Sequence, residues 1–128
     1  MARGSSTMGV VALGLLLVLA LGSVATVALQ IGAEWTVGDD QGWSFGVTGW
    51  PNGKAIRAGD VLVFKYNPKM HDVVEVDEKA YNLCNPGNGS SWRFTSGHDR
   101  ILVEHGKTFY ICSMPGHCLR GMKITIEA

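Results

Sequence analysis

The stretch Cys112-Ser-Met-Pro-Gly-His117-Cys118-Leu-Arg-Gly-Met122 carries a thiol, an imidazole and a thioether with four residues between successive members. Thiolate, imidazole and weak thioether together form the donor set of a copper centre that serves both Cu(I) and Cu(II), whereas zinc rarely takes the Met. A blue-copper arrangement needs two imidazoles and one thiolate in a trigonal plane with a long axial contact. A second His must therefore come from elsewhere in the chain, and His71 is the leading candidate. Pro115 and Gly116 keep the backbone from running straight between Cys112 and His117, and Gly121 allows a tight return before Met122. On either side, Lys107–Ile111 and Lys123–Glu127 read as strands, so the ligands are expected where two strands meet.

The chain has 128 residues, room for one domain, with 11 Lys plus Arg against 11 Asp plus Glu. Arg3 precedes an uncharged run from Gly9 to Ala28 that is densest in Leu15 to Leu19, and small residues follow. This reads as a secretory signal peptide over 1–33, with cleavage after Ala28 or Ala33, the second being favoured. An uncleaved membrane anchor is the rival reading, since about 20 apolar residues can span a bilayer. A domain over 34–128 would hold ten basic and eleven acidic residues. With no basic stripe and no charge run, a nucleic-acid or polyanionic partner is not expected.

Three cysteines in a chain bound for an oxidising compartment leave one over after a single pairing. If the segment is extended, neighbours point to opposite sides, so a Cys118 next to a metal-facing His117 faces away. Cys112 is then the thiolate and Cys84 pairs with Cys118. A Cys84–Cys112 bridge with Cys118 free is the alternative.

In chain order, 34–37 reads as a first strand and 38–40 as a turn, followed by loop containing Trp43 and Trp50. Trp35, Trp43 and Trp50 are assigned to packing. Strands are expected over 55–57, 61–66, 71–76, 92–95 and 101–104, and the one mature-chain helix over 77–84, capped by Asp77. His71 opens its strand beside a Pro68 turn. His98 and His105 fall in turns and are expected to be solvated. Asn88-Gly-Ser forms an N-glycosylation sequon in a loop. No second hydrophobic segment follows the last strand as a lipid-anchor signal, so the mature chain is expected to be free of the membrane.

These features resemble the phytocyanins, plant blue-copper proteins of the cupredoxin fold, and within them the plantacyanin or basic blue protein group. The resemblance runs from Trp35 to Ala128. It rests on Gly59-Asp-Val-Leu-Val-Phe-Lys-Tyr-Asn67 leading to His71, on Cys84, and on Phe109-Tyr-Ile-Cys-Ser-Met-Pro-Gly-His-Cys-Leu-Arg-Gly-Met-Lys-Ile124. It implies an all-β Greek-key sandwich or barrel with one short helix. It also implies one copper ion held by His71, Cys112 and His117 with Met122 axial, and a Cys84–Cys118 bridge. Met122 stands where the stellacyanin group carries Gln. The near-neutral charge departs from the basic character of plantacyanins, and Asp72 stands where many relatives have Asn.

The implied function is single-electron transport by a secreted, monomeric protein of the plant cell wall or apoplast. Its redox partner is unidentified, a small molecule or a cell-wall component. A copper oxidase is excluded by inventory, since four histidines cannot furnish a multinuclear oxygen-reducing cluster beside the blue site. A recognition or signalling module whose copper is structural remains the alternative, and retention of all four ligands favours electron transfer.

Overall fold

A computed structural model of the protein describes residues 32–87 and 92–128. Asn88 and nearly all of the expected leader lie outside the described residues. Among the described residues seven strands form two sheets: β1 (Glu34–Thr36), β2 (Val61–Lys65), β3 (Val73–Val76), β4 (Trp92–Phe94), β5 (His98–Leu102), β6 (Lys107–Ile111) and β7 (Lys123–Glu127). One sheet has the order β1-β2-β5, with β1 parallel to β2; the other, β4-β3-β6-β7, is antiparallel throughout. Among the described residues one α-helix, α1, spans Glu78–Leu83. This is the two-sheet arrangement with one short helix that the resemblance implies.

Alternation explains which sides are covered. Val73 and Ile124 join Trp43, Leu62 and Phe64 in the core between the sheets, while Val74, Val76 and Ile111 line the opposite face of the four-stranded sheet. That outer face is covered by α1, whose Tyr81 packs on Phe109 with ring centroids 5.3 Å apart. Asp77 starts the helix by accepting the Ala80 N–H at 2.8 Å, the capping role read from the sequence. A β3 buried on both sides needs a nearly continuous apolar run, and Val73-Val-Glu-Val76 supplies one with a single exception, Glu75.

Three local expectations change. Residues 55–57 form no strand, because the Asp60 carboxylate accepts the Arg57 N–H at 2.9 Å and the Asp60 N–H returns to the Arg57 carbonyl at 3.0 Å. That closes a turn where a ladder would need both groups. Strand β5 starts at His98 and stops at Leu102, so His98 lies in a strand rather than a turn, paired with Lys65 and still exposed. Strand β3 starts at Val73, leaving His71 and Asp72 just ahead of it.

Candidate metal centre

Strands β6 and β7 pair as far as Ile111 with Lys123, and one further bond, Cys112 N–H to the Met122 carbonyl at 3.0 Å, closes the mouth of the connecting loop. The Met122 N–H then donates to the His117 carbonyl at 3.1 Å. Both ends of the ligand loop are therefore pinned to each other, as the two flanking strands suggested. Gly121 makes the return with φ 83°, and a Cβ there would lie 3.1 Å from the Gly46 Cα. Only glycine suits both the left-handed backbone and the close approach of the 43–50 loop.

His71 arrives from the other side of the chain. The Asn67 carbonyl accepts the Met70 and His71 N–H groups, each at 3.0 Å, turning the backbone after Pro68. The result brings three ligand atoms together. His71 Nδ1 and His117 Nδ1 are 3.1 Å apart, and Cys112 Sγ is 4.0 Å from the first and 3.5 Å from the second. The point equidistant from these three atoms lies roughly 2 Å from each, the length of a metal–imidazole bond. Among the described residues this is the one such cluster. His98 and His105 take no part in it. Met122 is completely buried, tied by its backbone to both Cys112 and His117. A free thiol, two imidazoles and a buried thioether fit copper by donor chemistry.

Burial sets the electrostatics. It raises the pKa of the Cys112 thiol and lowers that of His71, with the neighbouring His117 adding to the latter. A bound cation would reverse the bias on the thiol, since a coordinating thiol is deprotonated. Asp72, fully buried, is held as a carboxylate. Burial works to raise its pKa, but the Ser113 hydroxyl, Arg93 Nε at 2.8 Å and the Ser113 N–H at 2.7 Å together bring it down. Trp43 fixes the same segment from below, donating its indole N–H to the Asp72 carbonyl at 2.8 Å.

The bridge is Cys84–Cys118, with Cα atoms 5.6 Å apart, and Cys112 is the free thiol. The pairing matches the expectation but its local basis does not. His117 is right-handed helical (φ −69°, ψ −44°) and Cys118–Arg120 is a 3-10 turn, so the segment is not extended. Successive side chains there separate by a helical rotation rather than by the half-turn of a strand. The bridge anchors this turn to the end of α1, next to His117.

Several neighbours of the site carried no sequence signal. Phe45 sits edge-on to both imidazoles, with centroids 5.6 Å from His71 and 4.8 Å from His117, and Arg120 lies 4.0 Å over its face. Arg93 reaches Asp72 from β4. A lone Phe or Arg in a loop or edge strand gives no periodicity from which such a role could be read.

A model of the plastocyanin-like domain matches residues 35–122. The chain is 54% identical to chemocyanin of Lilium longiflorum over 94 residues, 73% of this chain and 74% of that protein. Among solved structures it is similar to cucumber basic protein, a blue copper protein, with TM-score 0.73 and 46% identity over 75% of this chain and 99% of the other. It is also similar to spinach plantacyanin, with TM-score 0.62 and 50% identity over 68% and 93% of the two chains.

Proposed function

The chain belongs to the plastocyanin-like, or phytocyanin, family, and from that premise we propose that it is a secreted blue copper protein that carries single electrons. The observation that carries this reading is the convergence of His71 Nδ1, Cys112 Sγ and His117 Nδ1 on one point. His71, Cys112, His117 and Met122 would hold the ion. Copper bound there would supply one-electron exchange between Cu(I) and Cu(II).

The protein's part is to keep the ligands still. The Cys112 to Met122 bond, the Asp72 bridge to Ser113 and the Cys84–Cys118 bond each fix a different side of the centre. A set of ligands that cannot relax favours neither oxidation state by movement, so exchange costs little reorganisation. His117 is the more exposed of the two imidazoles and gives electrons an edge to cross. Around it Met114, Pro115 and Leu119, the last 80% exposed, offer an apolar rim for brief docking.

Secretion agrees with the disulfide, which persists in oxidising compartments. The test is to add Cu(II) to the purified protein and to Cys112→Ser and record visible spectra. The reading requires an intense thiolate-to-copper band in the first and none in the second, with reversible cycling by small mediators. Copper binding without that cycling would sink the carrier role and leave a structural metal.

A further inference from the structure

On the side of the sandwich away from the metal loop, the sheets part between β5 and β4 to leave a cleft of about 420 Å³. One row of residues crosses the four-stranded sheet there: Trp92 opposite Glu75, Glu75 opposite Tyr110, Tyr110 opposite Ile124. Paired residues share a face, and Ile124 and Tyr110 belong to the core between the sheets. Glu75 is thus a carboxylate on the inward face of a central strand, at the point where the core opens to solvent.

Three facts about this cleft have no explanation in the fold. Glu75 and Glu104 both line it, and burial, with Glu104 adding to it, raises the pKa of Glu75. Among the described residues no cation pairs with either; Arg100 also lines the cleft but its guanidinium is taken by Glu34. Tyr110 is 2% exposed, yet its hydroxyl has no hydrogen bond among the described residues. Tyr110 lines the same cleft. Finally, Trp92 stands 71% exposed on the cleft's rim.

We propose that this cleft binds an alkylammonium group, as carried by a short linear diamine. An ammonium offers three N–H donors and no acceptor. It would meet the Glu75 and Glu104 carboxylates and the Tyr110 oxygen, and relieve the repulsion between the two acids. The attached methylenes would lie on the Trp92 indole, whose face attracts cations. An inward charge that served only to keep the sheet edge from pairing would need neither a second carboxylate nor a buried tyrosine lining the same cleft.

The test is titration of the protein, as isolated, with 1,4-diaminobutane, followed by calorimetry and by the Trp92 indole N–H resonance, with 1,4-butanediol as the neutral control. The diamine should shift that resonance saturably and the diol should not. Glu75→Gln should weaken binding by about tenfold or more, the loss of one charged hydrogen bond, and Trp92→Ala should weaken it as well. Circular dichroism checks that each variant is folded. No saturable response at tens of millimolar diamine, or an equal response to the diol, overturns the proposal. So does unchanged binding in folded Glu75→Gln, or displacement of the amine by an equal concentration of Ca²⁺, which would make this a carboxylate metal site.

Discussion

Ser113, which follows the Cys112 thiol, gives both its N–H, at 2.7 Å, and its hydroxyl to the carboxylate of Asp72, which follows His71. One buried anion thus ties the two ligand-bearing segments together, 41 residues apart in sequence. Arg93 completes its shell from a side chain that is itself 57% exposed.

Asp72→Asn keeps an oxygen for the Ser113 N–H but removes a negative charge beside the centre. A negative charge there favours Cu(II), so the variant's reduction potential should rise. Redox titration of the copper-loaded protein decides it, and an unchanged or lower potential would count against the argument. Arg93→Ala should move the potential the other way, because it exposes the same charge.

Replacing both Cys84 and Cys118 by Ser removes a link across 34 residues. The chain-entropy relation gives a loss of about 4 kcal/mol in unfolding free energy, to be measured by urea denaturation. The turn that carries His117 also loses its anchor on α1, so copper should be held less tightly in the double variant than in the parent.

Gly121→Ala places a Cβ at φ 83° against the Gly46 backbone. The left-handed backbone alone costs about 1–2 kcal/mol, and the contact adds to it. Urea denaturation should show at least that loss, and a variant as stable as the parent would contradict the packing described for the loop over the metal centre.

Glu75 gives a pH dependence whose sign is fixed by its raised pKa. Between the unfolded value of about 4.3 and the higher folded value, the native state binds more protons than the unfolded chain. Stability from this group is then present below that window and falls as pH rises through it. The charged groups facing Glu75 are Glu104 and, engaged by Glu34, Arg100. Glu75→Gln should flatten that part of the profile and melt higher than the parent at pH 7. A lower melting temperature would mean that the carboxylate is stabilised by a partner.

Ala33 donates its N–H to Asp60 at 2.9 Å and its carbonyl accepts the Val61 N–H at 2.9 Å. A chain trimmed to begin at Glu34 should therefore melt a few degrees below one that begins at Leu29, as calorimetry of the two would show. Equal melting temperatures would mean that the strand β1 pairing does not need these bonds.

How much of this was legible from residues alone follows from the range of the forces involved. Short-range rules were enough for the spacing of Cys112, His117 and Met122, the strands on either side, the Asp77 cap and the existence of strand β3, because each depends on neighbours within a few positions. Cysteine parity led to the right bridge, although by way of an extended backbone that the 3-10 turn at Cys118 replaces. Tertiary contact alone decided the rest. It brought His71 Nδ1 to 3.1 Å from His117 Nδ1, set Phe45 edge-on beside both rings and drew Arg93 to Asp72. It also turned Glu75 inward beside Tyr110. Those relationships depend on which strands pair and in what register, a choice made by the core as a whole, and no local pattern in the chain encodes it.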